Sequence, residues 1–413
     1  MKDHALRRAI DAETHARPSI AVAAPAVVFH AALTGVASPE GEIEALIDRF
    51  SSEPVHRTDR HVVLQTPAGL LKWERHNEFI TWTLFAEGAR QGAAPPDWWA
   101  SLSGACVACL EVRIASPVPP ESGMLGDGAI APNLVRARVS GGLATAQSDF
   151  RIAADERTHI LLVPHHNDPP RLGRLLRRVV ELETYRNMAL VTLPPAQAAL
   201  RSLDTLEEDL RAISGAMPAD GPAADDGDAR LLTDLTAIAA RLERLRCGVS
   251  FRLGAANAYA ALFSQRVDEL REEHVEGSER ISVFLNRRFA PAMATCTSLS
   301  SRLDAAGMRI DRVSALLRTR VDVAVERQNS ALLKSMNERA AAQLRLQQTV
   351  EGLSVFAIAY YLTGLLERPL AALALYWPWL QAPLVPALVA LAAIAAVWLG
   401  LQRLKTEISA PQR

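Results

Sequence analysis

Glu13, His15 and Arg17 stand within five residues of one another (Glu13-Thr14-His15-Ala16-Arg17-Pro18), a base beside a cation that could clamp an anion. General acid–base chemistry asks for such a pair within hydrogen-bond reach of a reacting group. No nucleophile elbow, phosphate loop or dinucleotide fingerprint accompanies it in the 413 residues, so a polar turn tying the N-terminus to its domain is the plainer reading. Lys72-Trp73-Glu74-Arg75-His76-Asn77-Glu78 offers charges for an anion, but its alternation reads as a solvated strand face. His165, His166 and Asp168 are three candidate metal ligands in a loop, without the paired histidines of a helical metal site; the metal set stays unknown. Glu181, Glu183, Tyr185 and Arg186 fall on a helix expected over 171–190, where Glu181 shares a face with Tyr185 and Glu183 meets Arg186. That pattern reads as a buried polar clamp between a head domain and a helical bundle. Cys106 and Cys109 form a lone CxxC, read as two small residues beside a strand rather than a zinc or redox site. Arg287 and Arg288 read as interhelix salt-bridge partners. No residue is assigned a catalytic role, no cofactor is called for, and the chain is not read as an enzyme.

A sharper signal lies near the C-terminus. Glu351, Ser354, Ile358, Tyr361 and Leu365 recur at three-to-four spacing, with Thr363 and Gly364 beside them. An ionisable group at the mouth of a membrane span normally faces a bundle interior or water. A ring of copies would therefore line a pore with carboxylates and hydroxyls, groups that attract cations. The plainer reading leaves Glu351 among lipid headgroups, as the first residue of the span.

These residues need elements to hold them. The stretch 352–366 (GLSVFAIAYYLTGLL) and the stretch 383–401 are free of charge, and a bilayer core of roughly 30 Å asks for about 20 helical residues. A transmembrane hairpin follows, with spans at about 347–366 and 383–402, joined by a short loop. Arg339, Arg345, Arg403 and Lys405 flank it, so the positive-inside tendency puts both termini in the cytoplasm of a multi-pass inner-membrane protein. From 307 onward nothing breaks the helical pattern before the membrane, whereas Gly277, Pro291 and Gly307 mark expected breaks or bends. So long an apolar stripe needs a neighbouring hairpin, other copies of the chain, or both to cover it.

Ahead of the stalk, strands are expected at 26–33, 61–66, 70–76, 79–85, 109–114, 134–139, 145–152 and 158–163, with helices at 41–50 and 98–105. The fold class is an α/β N-terminal cytoplasmic head, a long-helix bundle and stalk, and the two-helix hairpin. Domain limits fall at 1–193, 194–345 with a loose linker over 215–230, 346–403, and a tail over 404–413. A formal net charge of −1 gives no global field for nucleic acid, and four cysteines suit a reducing compartment.

Two resemblances enter on particular residues. The phrases Lys72-Trp73-Glu74-Arg75-His76-Asn77-Glu78-Phe79, Glu183-Thr184-Tyr185-Arg186-Asn187-Met188-Ala189-Leu190 and Leu285-Asn286-Arg287-Arg288-Phe289-Ala290-Pro291 resemble a bacterial family of uncharacterised membrane-anchored proteins, a domain of unknown function. The layout of head, stalk and hairpin is similar to the CorA-type magnesium transporter superfamily. Ser335-Met336-Asn337-Glu338 and Gly364 stand where that family has comparable residues. Its Gly-Met-Asn signature is replaced here by Thr363-Gly364-Leu365-Leu366. That resemblance implies a homo-oligomer, a pentamer, with a divalent cation among its partners alongside the lipid bilayer. A membrane-anchored scaffold without transport is the alternative.

Overall fold

The computed structural model describes residues 3–8, 10–11, 19–88, 94–118, 134–217, 227–373, 376–377, 382 and 384–408. The chain divides into two compact units, Met1–Pro218 with Leu231–Ala315, and Ala219–Arg230 with Leu316–Arg413.

The first unit is built on one ten-stranded sheet. Its strands are β1 (Ala26–Thr34), β2 (His56–Thr58), β3 (His61–Thr66), β4 (Gly69–Arg75), β5 (Phe79–Glu87), β6 (Ala105–Ile114), β7 (Val135–Val139), β8 (Ala144–Ser148), β9 (Thr158–Pro164) and β10 (Glu273–His274). They lie in the order β10-β7-β8-β9-β6-β1-β5-β4-β3-β2. β6 and β9 run parallel and the other neighbours antiparallel. The run β3 to β5 is the expected meander, held by tight turns, and β2 adds an edge strand that was not expected. The helices are α1 (Pro39–Phe50), α2 (Pro169–Leu190), α3 (Leu193–Ala216), α4 (Gly227–Leu270), α5 (Ile281–Leu373) and α6 (Leu384–Ile408).

β1 is apolar on both sides because both faces of the sheet are covered there. Val27, Phe29, Ala31 and Leu33 pack with Ile43 and Leu46 of α1, Trp73, Trp82 and Trp98. Ala26, Val28 and Ala32 face the opposite core, with Leu172, Leu175, Leu176 and Val179 of α2, Phe263 of α4 and Phe289 of α5. Each buried Val, Leu, Ile or Phe among them contributes about 1.5–3 kcal/mol by leaving water. Asp168 caps α2, its carboxylate accepting from the Arg171 N–H at 3.1 Å, with Pro169 and Pro170 in the first turn. α2 can lie against the segment before β1 because residue 173 is glycine: a Cβ there would sit 1.9 Å from the Ile20 carbonyl oxygen.

Several expectations are corrected. Residues 98–105 do not form a helix; a 3-10 turn spans Asp97–Ser101 and Ala105 already opens β6. α5 runs through Pro291 and Gly307 without a break. Proline removes one helical hydrogen bond, and the burial of Phe289, Ala292, Cys296 and Leu299 on either side offsets that loss. The same helix continues past Leu366 through Glu367 and Arg368 to Leu373, where a loop was expected. Of the expected linker, 215–216 ends α3 and 227–230 begins α4, while 218–226 lie outside the described residues.

In the second unit, Asp228 accepts from Arg320 Nε at 2.9 Å. Among the described residues one helix, Ile281–Leu373, is long and apolar enough to cross a membrane by length and composition, and Leu384–Gly400 is a shorter apolar helix. Leu353, Phe356 and Leu365 stand about 70 % exposed, whereas the small residues Ala359 and Ala393 are buried.

Candidate functional site

Across the middle of the sheet the register puts His30 of β1 opposite Thr83 of β5, and Thr83 opposite Lys72 of β4. Thr81 and Glu74 form the next row. Period two sends all five side chains to one face. α2 lies over that face and brings Leu176, Arg177, Val180, Glu181, Thr184 and Tyr185 down onto it, lining a partly open cavity of about 40 Å³. Lys72-Trp73-Glu74 is therefore not a solvated strand face. Lys72 is 6 % exposed, because alternation fixes which residues share a face and a covering helix decides whether that face meets water.

The polar groups are paired across the gap. Thr184 donates its hydroxyl proton to the Val180 carbonyl at 2.9 Å, so towards His30 its oxygen accepts. His30 therefore carries its proton on Nε2, which lies 3.1 Å from Thr184 Oγ1, and Nδ1 accepts from the Thr83 hydroxyl at 2.8 Å. Burial, with Lys72 and His76 against it and Glu74 for it, lowers the His30 pKa to about 3. The imidazole is neutral at physiological pH and is a poor general base. Lys72 Nζ sits 2.9 Å from Glu74. Burial alone would raise the Glu74 pKa; the Lys72 charge and hydrogen bond, with His76 and His61, overcome it and hold the carboxyl at about 2.

The outer wall is tied to the helical layer. Glu181 accepts from Arg177 Nε at 2.7 Å and from Arg266 Nε of α4 at 2.5 Å. Burial and the Glu181 charge push the Tyr185 phenol up to about 12. Beyond it Tyr185 stacks on Tyr259 at 6.2 Å, and Glu78 accepts from Arg252 at 2.9 Å and from the Tyr259 hydroxyl at 3.1 Å. Roughly 10–15 Å³ is needed to hold one water, so the cavity suits a few waters or a small polar group, not a large substrate. The cavity is lined by charge-balanced groups; its ionised side chains are paired with one another rather than poised for proton transfer.

The remaining sequence candidates fall elsewhere. Glu13, His15 and Arg17 lie outside the described residues. Glu183 is buried, takes hydrogen bonds from Arg186 and Asn187, and does not line the cavity. His165 binds Thr145 at 3.0 Å and the Val118 carbonyl at 3.0 Å, and Asp168 is the helix cap, so the loop's polar groups serve the fold. Glu351 is half-buried and accepts from Gln347 Nε2 at 3.3 Å. The Ser354 hydroxyl donates to the Val350 carbonyl at 2.8 Å and the Thr363 hydroxyl to the Ala359 carbonyl at 2.6 Å. Ile358, Tyr361, Gly364 and Leu365 are exposed on the same helix.

Sequence reasoning did not single out His30, Thr83, Arg177, Thr184 or Arg266. A histidine inside an otherwise apolar strand was the available signal for the first. Glu111, Asp155 and His159 offer three ligand atoms within 4.8 Å of one another. Arg113 at 2.5 Å and Arg157 at 3.6 Å already balance Glu111, and Arg157 also binds Asp155 at 2.7 Å, which makes this an ion-pair network.

A family described as Protein of unknown function (DUF3422) matches residues 2–408. Neither the curated proteins nor the solved structures yield a match. Nothing in these comparisons supports the CorA-type resemblance.

Proposed function

The chain belongs to the DUF3422 family, and we propose that it works as a membrane-anchored, self-associating binding protein. Its C-terminal helices lie in a lipid bilayer, other copies cover its stalk, and the cavity of the first unit takes a small polar ligand. The observation that carries the reading is the exposure of α5 where it is most apolar: Leu353, Phe356, Tyr360, Tyr361 and Leu365 are each more than two-thirds exposed. A core helix of a soluble protein buries such residues. Hydrocarbon accepts them, and a continuous helix satisfies its own backbone there. Upstream, Leu332, Leu333 and Met336 are exposed on a charged helix, the pattern that a second helix covers.

The test uses the full chain in its own membranes. The reading expects the protein to resist carbonate extraction, and Leu332→Cys to cross-link between copies. Release into the aqueous fraction without detergent sinks the anchor. Monomers at every concentration, in detergent and in membranes, sink the self-association.

A second reading, cation conduction, is favoured by the row that Glu351, Ser354, Ile358, Tyr361 and Leu365 make on one continuous helix. A ring of stalks would bring those rows together around an axis. The anchor alone requires no such ring.

A further inference from the structure

In a regular strand, residues three apart point to opposite faces. β6 departs from that rule where Cys106 and Cys109 stand. Cys109 pairs with Ala31 and Ala108 with Ala32, but Leu33 pairs with Cys106, so Val107 is an extra residue. The bulge turns Cys106 onto the side of Cys109, since Ala31 and Leu33 share a face. β9 pairs with β6 from Leu110 onward, which leaves the cysteine stretch outside that ladder. Cys106 is exposed and Cys109 half-buried.

We propose that Cys106 and Cys109 are a redox-active dithiol, a modification site that closes to a disulfide by exchange with a low-molecular-weight disulfide. Cys106 is the attacking thiolate: the Cys109 S–H and the Ala108 N–H both donate to its sulfur, which lowers its pKa. Cys109 is held protonated by that same donation and by burial, with the Arg157 charge opposing. In the first step Cys106 sulfur bonds to one sulfur of oxidised glutathione and expels a glutathione thiolate, which takes a proton from water. Cys109 then gives its proton to solvent and attacks the Cys106 sulfur. The second glutathione thiolate leaves and the Cys106–Cys109 bond forms. Two protein thiols are oxidised and one glutathione disulfide is reduced to two thiols.

The other cysteines provide the internal comparison. Cys247 is exposed, but its thiol donates to Glu243 at 3.5 Å and its pKa is raised. Cys296 is buried. The full chain in detergent, equilibrated with oxidised glutathione at neutral pH, alkylated and mapped by peptide mass, should show a two-hydrogen loss linking residues 106 and 109. Alkylation at Cys106 should outpace that at Cys247, because the thiolate is the reacting form. Cys109→Ser should accumulate a glutathione adduct on Cys106, and Cys106→Ser should leave Cys109 unmodified. A wild-type chain that stays fully reduced, or adducts shared equally between Cys106 and Cys247, would overturn the assignment. So would zinc bound by the dithiol with no disulfide formed.

Discussion

His30 Nε2 donates to the Thr184 hydroxyl at 3.1 Å, across the seam where α2 lies on the sheet. The two residues are 154 positions apart in sequence. This contact fixes both the tautomer of a buried imidazole and the height of the helix over the cavity, and it makes the seam sensitive to acid.

The folded-state pKa of His30, about 3, lies below its ordinary value of 6.5. An unfolded chain therefore binds a proton that the folded chain refuses, and stability falls as pH drops from 6.5 towards 3. Glu74, held at about 2 against an ordinary 4.5, acts in the same direction but over the lower window. Thermal unfolding of the detergent-solubilised chain, followed by tryptophan fluorescence, should weaken between pH 6.5 and 4.5 by on the order of a few kcal/mol. His30→Gln should flatten that window and leave the fall below pH 4.5. An unchanged profile would show that His30 takes up its proton as readily in the folded chain as in the unfolded one.

Much of this site was hidden from the sequence for a physical reason. The β3–β5 meander was legible because period-two alternation and turn residues are local signals. The covering of β4 by α2 is a contact between segments a hundred residues apart, and nothing local distinguishes Lys72 on a covered face from Lys72 in water. The polar grouping of Glu181 with Tyr185 was visible at helical spacing, but its partner Arg266 belongs to α4. Pro291 and Gly307 were read as breaks because local propensity says so, whereas burial around them keeps the helix whole. His30 interrupted an apolar strand, and its meaning depended on which hydroxyls came to meet it.

Gly173→Ala tests the closeness of α2 to the chain that leads into β1. The added carbon would meet the Ile20 carbonyl carbon at 2.9 Å and the Ala21 Cα at 3.2 Å as well as the oxygen, and all three are backbone atoms. Neither side has a flexible end that can swing away. The substitution should lower stability by about 1–3 kcal/mol, although alanine is the better helix former. A melting temperature equal to or above that of the parent chain would show that the helix can lift off without loss.

Glu181 joins two arginines from different helices, so removing the carboxylate should cost more than removing either cation. Arg177 is about a third exposed and Arg266 less so, and solvent screening reduces each pair accordingly. Glu181→Ala is expected to destabilise by roughly 2 kcal/mol, since it removes the carboxylate that both guanidiniums bind, although Arg266 keeps Glu269 at 2.8 Å. Arg266→Ala should cost less. A double-mutant cycle between Glu181 and Arg266 should give a coupling of about 0.5–1.5 kcal/mol, and additivity within error would mean that the α2–α4 contact rests on its apolar residues.

Conduction through a ring of stalks makes a demand on Glu351 that anchorage does not. A carboxylate at the mouth of a cation path raises local cation concentration through its charge, whereas a glutamine of the same shape keeps the hydrogen bonding to Gln347 and loses the charge. Glu351→Gln should therefore leave membrane association and oligomer size unchanged and reduce cation flux into liposomes about tenfold, with selectivity over anions falling alongside. Tyr361→Ala, about three turns further along the exposed face, should change flux in the opposite sense by widening the path. Equal flux in the parent and the Glu351→Gln chain would remove these residues from any pore. The absence of flux in the parent itself would leave anchorage as the proposed role of these helices.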